Sequence, residues 1–497
     1  MTSTPPHPVT APPRRPGGAI IGVLACAGIV VSLMQTLIVP LIPNLPHLLH
    51  SSAANTSWAI TATLLAAAVA TPVLGRLGDM FGKRRMLVAS LLLLVAGSLV
   101  SALGSSLASM IVGRALQGCG MAVVPLGISV MRDELPPEKL GSAMALMSSS
   151  LGIGGALGLP AAATIAQHSD WHMLFWTSGA LGAAVAVLVV AVVPESPLRA
   201  GGSFDVIGAA GLSAGLLCLL LGISKGGDWG WGSGTTLGMF AAAAAVLAVW
   251  AWWELRRPAP LVDLRTTMRR QVLLTNVASI VVGFAMYAMS LIVPQLLELP
   301  KATGYGLGRS MVAAGLVVAP SGLVMMAVSP LSARLSAARG PKASLLTGAL
   351  VIALGYGLAL PLMHHVWGVL LFSSVIGAGI AFAYAAMPAL IMSAVPPSET
   401  AAANGLNTLM RSIGTSTSAA VMGVVLSHLT IRLGPVTLPS AHGFRVGFVI
   451  GGGVALLAAL LTLAIPGRKP ASTVTAAVPQ PAAPAAESPA DARPAAT

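Results

Sequence analysis

Apolar stretches of spanning length recur along this chain, each closed by a short polar break. They fall at approximately 18–42, 57–76, 85–105, 107–131, 141–167, 171–193, 205–224, 235–255, 271–297, 307–332, 343–363, 367–395, 401–428 and 443–466. About 20 apolar residues in helical form cross the ~30 Å of hydrocarbon in a bilayer. The pattern therefore predicts an all-α membrane protein of about fourteen transmembrane helices, numbered here helix 1 to helix 14 in chain order. The breaks are too short to fold as a soluble domain. Residues 1–17 are polar and proline-rich and read as an N-terminal tail. Residues 467–497 are rich in Pro and Ala and read as a disordered tail.

Composition agrees with the pattern. The chain is 56% hydrophobic and 8% charged, where soluble domains are about a quarter charged. Its formal charge of +13 could suggest a nucleic-acid partner until the bases are mapped. With the N-terminus inside, twenty Lys and Arg fall on the inner side and five (Lys225, Lys301, Arg309, Arg432, Arg445) on the outer. That is the positive-inside bias of a membrane protein. It predicts a multi-pass protein of the cell membrane with both termini cytoplasmic, and it accounts for the charge without nucleic acid. Cys26, Cys119 and Cys218 each lie within an apolar run. Neither a disulfide framework nor a metal site is implied, and no cofactor motif appears.

The chain also resembles itself. "TPVLGRLGDMFGKRR" from Thr71 aligns without a gap on "SPLSARLSAARGPKA" from Ser329. Pro72, Arg76, Leu77 and Gly82 meet Pro330, Arg334, Leu335 and Gly340, an offset of 258. "QGCG" at Gln117 meets "IGAG" at Ile376 at an offset of 259. Two nearly equal offsets at helix scale predict repeated halves, as in many transporters. The halves are a six-helix bundle over 18–193 and another over 271–466, with a helix pair over 205–255 inserted between them.

The densest charge sits in "GRLGDMFGKRR", between helices 2 and 3. Lys83, Arg84 and Arg85 hold that turn inside. Gly75 and Gly78 allow close backbone approach, and Gly82 a tight turn. Asp79 is a carboxylate at the membrane edge, where it needs a partner. This stretch resembles the helix 2–3 signature of the major facilitator superfamily, G-x-L-[AG]-D-x-x-G-[RK]-[KR]. "GRALQGCGMA" in helix 4 resembles a second signature. "GIGGALGLPAAA" in helix 5 resembles the antiporter signature G-x-x-x-G-P-x-x-G-G, with Pro160 displaced by one and Ala162 and Ala163 in place of the last two glycines. "DWHMLFW", "GDWGWGSG" and "NGLNTLMRSIG" are similar to stretches of the fourteen-span drug/proton antiporter branch. The resemblance covers about residues 18–466. It implies two bundles rocking about a central cavity and proton entry driving export. It also implies a cytoplasmic gate built from Gly75, Gly78, Asp79, Gly82, Lys83 and Arg84, with Asp133 or Glu134 as partner of the turn's bases.

One departure bears on chemistry. Members of this branch often carry a carboxylate in helix 1, where this chain has Met34 in "MQTLIVPLIP". No Asp or Glu falls in the middle third of any helix. Arg114 in helix 4 and Arg411 in helix 13 are the mid-membrane charges, and such residues are functional by default because they cost ~2.5–3.5 kcal/mol to insert. With Gln35, Gln117, Tyr287, Tyr384 and Asn407 they are candidates for substrate binding or coupling. Each polar side chain alone is also readable as an interhelical hydrogen bond, and each arginine as one held by backbone carbonyls. Gly154, Gly155, Gly158 and Pro160 read as a hinge in helix 5. The expected function is secondary export of drug-like or antibiotic-like amphipathic small molecules, neutral or anionic rather than cationic, by a monomer in the bilayer. A nutrient symporter or an uncoupled facilitator is the alternative. An intramembrane enzyme would need paired acidic clusters, which the spans lack.

Overall fold

The computed structural model describes residues 17–466 apart from 42, 43, 197, 202, 259 and 435. The tails expected at 1–17 and 467–497 lie outside the described residues, save Gly17. Fourteen helices are long and apolar enough to span a membrane. They are α1 (Gly17–Thr36), α2 (Trp58–Phe81), α3 (Lys83–Leu103), α4 (Leu107–Glu134), α5 (Pro137–His168), α6 (His172–Val192) and α7 (Val206–Trp229). Then follow α8 (Gly234–Glu254), α9 (Arg270–Glu298), α10 (Met311–Arg339), α11 (Pro341–Leu362), α12 (Val366–Met392), α13 (Thr400–His428) and α14 (Ala441–Ala464). The fold is an all-α membrane fold of two six-helix bundles and an inserted helix pair.

Local chemistry sets the differences from the expected limits. α1 stops at Thr36 and gives way to a 3-10 turn at Val39–Leu41. Pro40 lacks a backbone N–H and disfavours helix at the residue before it. α10 runs on to Arg339, about two turns beyond its apolar limit at 332, and stops at Gly340 with φ 84°. α4 holds a 3-10 turn at Gly120–Ala122. Between α13 and α14 the chain forms an antiparallel hairpin, β1 (Thr430–Leu433) and β2 (Val436–Pro439), with Ile431 opposite Leu438. Each strand carries two β-branched residues, Thr430 and Ile431 in β1 and Val436 and Thr437 in β2, and Gly434 between them has a φ of 62° that suits the turn.

Two apolar cores follow the two bundles. Leu24, Leu87, Leu91, Met110, Met131, Leu174 and Phe175 belong to one, and Ile292, Leu345, Tyr356, Phe372, Phe444 and Phe448 to the other. The bundles meet along two seams, α2 against α13 and α5 against α10. α7 and α8 lie outside both cores. Leu212, Leu216 and Leu220 of α7 and Trp250 of α8 pack on Leu65 and Ala68 of α2 and on Leu406 and Leu409 of α13. The pair thus straddles the first seam. Lys225 pins its far end, with Nζ donating to Ser57 Oγ and lying 3.0 Å from Asp228 Oδ2. α8 is the span least covered by protein, with 17% of its apolar window buried.

The repeat recurs in backbone geometry. Gly82 and Gly340, the two glycines aligned by sequence, both have positive φ, 119° and 84°. Arg84 donates to the carbonyl of Val190 at 2.5 Å, near the last turn of α6. Lys342, at the same repeat position, donates to the carbonyls of Leu463 at 2.8 Å and Ile465 at 2.5 Å, at the end of α14. A base there satisfies carbonyls that a helix leaves unpaired at its C-terminus.

Candidate functional site

The end of the bundle that holds Gly82 gathers most of the polar contacts between the halves. α2 carries Asp79 to within three residues of its C-terminus, where the side chain is fully buried. Its carboxylate accepts the backbone N–H of Ala401 at 3.2 Å and of Ala402 at 2.8 Å. Those two groups lie in the first turn of α13, where N–H groups have no partner within the helix and the helix dipole favours negative charge. Glu399, the residue preceding α13, makes no side-chain cap. A carboxylate from the other bundle caps the helix instead.

Close approach makes this reach possible. A Cβ added to Gly75 would lie 2.8 Å from the Ala401 carbonyl oxygen, and one added to Gly405 of α13 would lie 2.9 Å from the Thr71 carbonyl oxygen. The two glycines bring α2 and α13 together from both sides. Gly78 faces inward, where an added Cβ would collide with Leu126 of α4. At Gly82 the positive φ turns the chain, and the Glu195 carboxylate fills the space a side chain would take.

Lys83 is fully buried and holds two carboxylates. Its Nζ lies 2.6 Å from Asp133 Oδ2 and 3.8 Å from Asp79 Oδ1. Ser196 Oγ also donates to Asp133 Oδ2. Removing one partner of a buried ionic group costs about 3–5 kcal/mol, because the remaining charge stays buried. Arg84 donates its backbone N–H to Glu195 Oε1 at 3.2 Å, and Arg85 lies 3.7 Å from Glu195 Oε2. Glu134 follows Asp133 at the end of α4.

Arg132 makes a second crossing between the halves. Its guanidinium donates to Thr400 Oγ1 and to the carbonyls of Met392 at 3.0 Å and Val395 at 3.3 Å. One side chain therefore joins α4 to the end of α12 and the start of α13. Arg132, Thr400, Gly405, Glu195 and Ser196 were not among the residues singled out from sequence. The available signals were an arginine beside Asp133 and a threonine opening a helix, both common elsewhere.

The mid-membrane arginines lie one in each half, each held within its own bundle. Arg114, 2% exposed, donates to Gln117 Oε1 at 2.9 Å and to the carbonyls of Met34 at 3.2 Å and Ala59 at 3.4 Å. Gln117 in turn donates to Ser98 Oγ at 2.9 Å. Arg114 so ties α1, α2 and α4 together through oxygens that carry no full charge. Arg411 donates to Thr408 Oγ1 at 2.9 Å and to Asn407 Oδ1 at 3.4 Å, and its guanidinium lies 4.8 Å from the Tyr384 ring centroid. Asn407 donates to Asn276 Oδ1 at 2.9 Å and Ser279 Oγ at 2.6 Å. Among the described residues neither arginine forms an ion pair. Gln35 lies 2.8 Å from Met121 Sδ, Tyr384 Oη lies 3.0 Å from Met286 Sδ, and Tyr287 is half-buried.

The α5 glycines serve two neighbours. Gly154 and Gly158 face α1, where an added Cβ would meet Ser32 at 2.7 Å and the Leu33 carbonyl oxygen at 3.1 Å respectively. Gly155 has room, with only Ser32 Oγ at 3.8 Å. Pro160 faces Gly315 of α10 across the second seam, and α5 continues through it to His168.

Comparison with known proteins agrees with this architecture. The family model described as Major Facilitator Superfamily matches residues 24–419 and, in a second match, 278–494. The chain is 29% identical over 439 residues to a tetracenomycin C resistance and export protein of Streptomyces glaucescens, covering 87% of this chain and 80% of that one. It is 23% identical over 382 residues to multidrug resistance protein 3 of Bacillus subtilis, covering 75% and 72%. Among solved structures, the human organic anion transporter MFSD10 superposes with a TM-score of 0.64 at 16% identity, over 90% of this chain and 99% of that one. With its two bundles, the contacts that join them at the basic end and a family match along most of its length, the chain belongs to the Major Facilitator Superfamily and is a membrane transporter, not an enzyme.

Proposed function

We propose that this protein exports neutral or anionic amphipathic small molecules from the cell by alternating access, with the Asp79 turn as its cytoplasmic gate. Secondary active efflux of drug-like molecules follows from the family and from kinship with antibiotic-export and multidrug-resistance proteins. The remainder is our reading. The halves over 18–193 and 271–466 rock about the seams as a monomer, and the pair over 205–255 rides outside the pathway. The basic end faces the cytoplasm of a cell-membrane protein, as the bias of Lys and Arg requires.

The observation that carries the reading is the Asp79 carboxylate on the first turn of α13, 322 residues away in the chain. It ties the bundles at one end only through hydrogen bonds and close backbone contacts. Such a tie can be remade in each cycle. Opening it frees two N–H groups and a carboxylate at once, so water or a proton must take their place. The buried carboxylates of the described residues (Asp79, Asp133, Asp205, Glu254) all stand at this end. A coupling proton would therefore act at the gate, where neutralising Asp79 removes the charge that holds α13.

Substrate charge follows from the middle of the membrane. Arg114 and Arg411 give it positive charge, and no carboxylate offsets it. A cation is penalised there because poor solvation strengthens the repulsion. The test is efflux from proteoliposomes of matched cationic, neutral and anionic amphiphiles, with and without an imposed pH gradient. Wild type should favour the anion and respond to the gradient. Met34→Asp should gain cation transport. Strong export of a quaternary cation by wild type, unchanged in Arg114→Gln, would refute the charge preference.

A further inference from the structure

Beside the gate, on the side covered by the inserted pair, lies a cleft of about 320 Å³. Its walls are the end of α2, the connection before α7, the connection from α8 to α9 and the first turn of α13. Arg76, Arg199, Arg257 and Arg265 line it. Arg76 is 6% exposed, yet among the described residues its guanidinium makes no hydrogen bond and no ion pair. Its nitrogens are not sealed in the protein but open onto the cleft, where five donors stand free to take a ligand.

The acids on the same walls are already engaged, with one exception. Glu254 accepts from Trp250 Nε1 at 3.0 Å and from the backbone N–H of Leu261 at 3.0 Å. Asp263 accepts from the N–H of Arg265 at 2.9 Å and from Thr266 Oγ1 at 2.6 Å. Asp79, one turn on from Arg76, is turned to α13. Glu399 is the exception, half-buried on the wall. Arg257 stacks on Trp253, 4.6 Å from its ring centroid, and Arg265 donates to the Leu255 carbonyl. Among the described residues Arg76 and exposed Arg199 make no hydrogen bond and no ion pair; Arg76 acts on the Asp79 carboxylate only through space.

We infer that this cleft binds the phosphate group of an anionic ligand, held by the Arg76 and Arg199 guanidiniums. The planar fork of donors on arginine matches a tetrahedral oxyanion. Apolar wall residues such as Leu261, Val262 and Leu406 suit a ligand with an apolar part beside the phosphate. The phosphate belongs either to an anionic lipid headgroup or to a soluble ion. An occupant would bridge α2 to the connection before α7, tying the inserted pair to the gate.

Binding is tested on the full chain purified in detergent, by thermal unfolding. Sodium phosphate is compared with sodium chloride at equal ionic strength, and dioctanoyl phosphatidylglycerol with dioctanoylglycerol, which lacks the phosphate. Wild type should show a saturating rise in Tm with at least one of the two phosphate-bearing probes beyond its control, as ligand linkage requires. A rise with both means that the phosphate alone is recognised, and a rise with phosphatidylglycerol only means that the ligand is lipid. The rise should vanish in Arg76→Gln, shrink in Arg199→Gln and persist in part in Arg76→Lys. Should Arg76→Gln not fold, exposed Arg199 still decides. The inference falls if wild type responds no more than to the controls, or if Arg199→Gln and every folded Arg76 variant keep the full response.

Discussion

The turns at Gly82 and Gly340 have the same backbone and different chemistry. Both follow a long helix, both turn through a glycine of positive φ, and both send a base to the carbonyls of a distant helix end. At the first, position 79 is a buried aspartate bonded across the seam. At the second, the equivalent residue is Ala337, which is exposed. The first turn has buried Lys83 between two carboxylates, where the second has Pro341. The seams differ accordingly. α2 and α13 are tightest beside the turn, at Gly75 and Gly405, while α5 and α10 are tight near Gly152, Gly322 and Gly315. Among the described residues the repeated scaffold carries a buried carboxylate across a seam at one of the two turns, the contact we propose as the gate. The scaffold supplies the turn, and the proposed gate rests on one carboxylate within it.

Breaking that carboxylate should have the largest effect. Asp79→Asn keeps the shape but loses the charge on α13 and beside Lys83. Hydrogen bonds to charged groups contribute about 1.5–3 kcal/mol each, so two of them shift a closing equilibrium by roughly a hundredfold or more. Efflux in proteoliposomes should fall to a small fraction of wild type, with membrane insertion unchanged. Gly75→Val comes next. Its side chain must push the Ala401 carbonyl away, and overpacking of this kind costs about 1–3 kcal/mol. Efflux should fall about tenfold, with the protein still folded by size-exclusion chromatography. Lys342→Met removes a base from the end of α14, an interaction of about 0.3–1 kcal/mol near a helix terminus. Its Tm should drop by a few degrees at most, with efflux near normal. Ala337→Asp should do least, because an exposed surface substitution stays within about 0.5 kcal/mol. If Ala337→Asp impairs efflux as much as Asp79→Asn, the asymmetry between the turns has no functional meaning.

The fourteen spans were legible because a bilayer demands apolar length, a property of composition alone. The proline-closed end of α1 and the β1–β2 hairpin were not, since both are short and depend on local backbone chemistry. At the proposed gate, Asp79, Gly82 and Lys83 stood out as charge and glycine at fixed spacing in one turn. Their partners did not. Ala401 and Ala402 contribute only backbone N–H groups, which every residue but proline has. Gly405 and Arg132 meet their contacts only once helices distant in sequence are packed together. Arg114 was conspicuous as a charge in an apolar run, but its carbonyl partners on α1 and α2 follow from three-dimensional packing. The Arg76 cleft was invisible for the same reason, being walled by segments scattered from residue 76 to residue 406.

The central claim is that Asp79 holds the two halves together at the basic end. Spin labels at Arg85 and Arg339, the exposed bases of the two turns, in a chain lacking Cys26, Cys119 and Cys218, measure that separation by pulsed electron resonance. Wild type should give a dominant short distance, and Asp79→Asn should shift population to a longer one. Identical distance distributions in the two proteins would contradict the account.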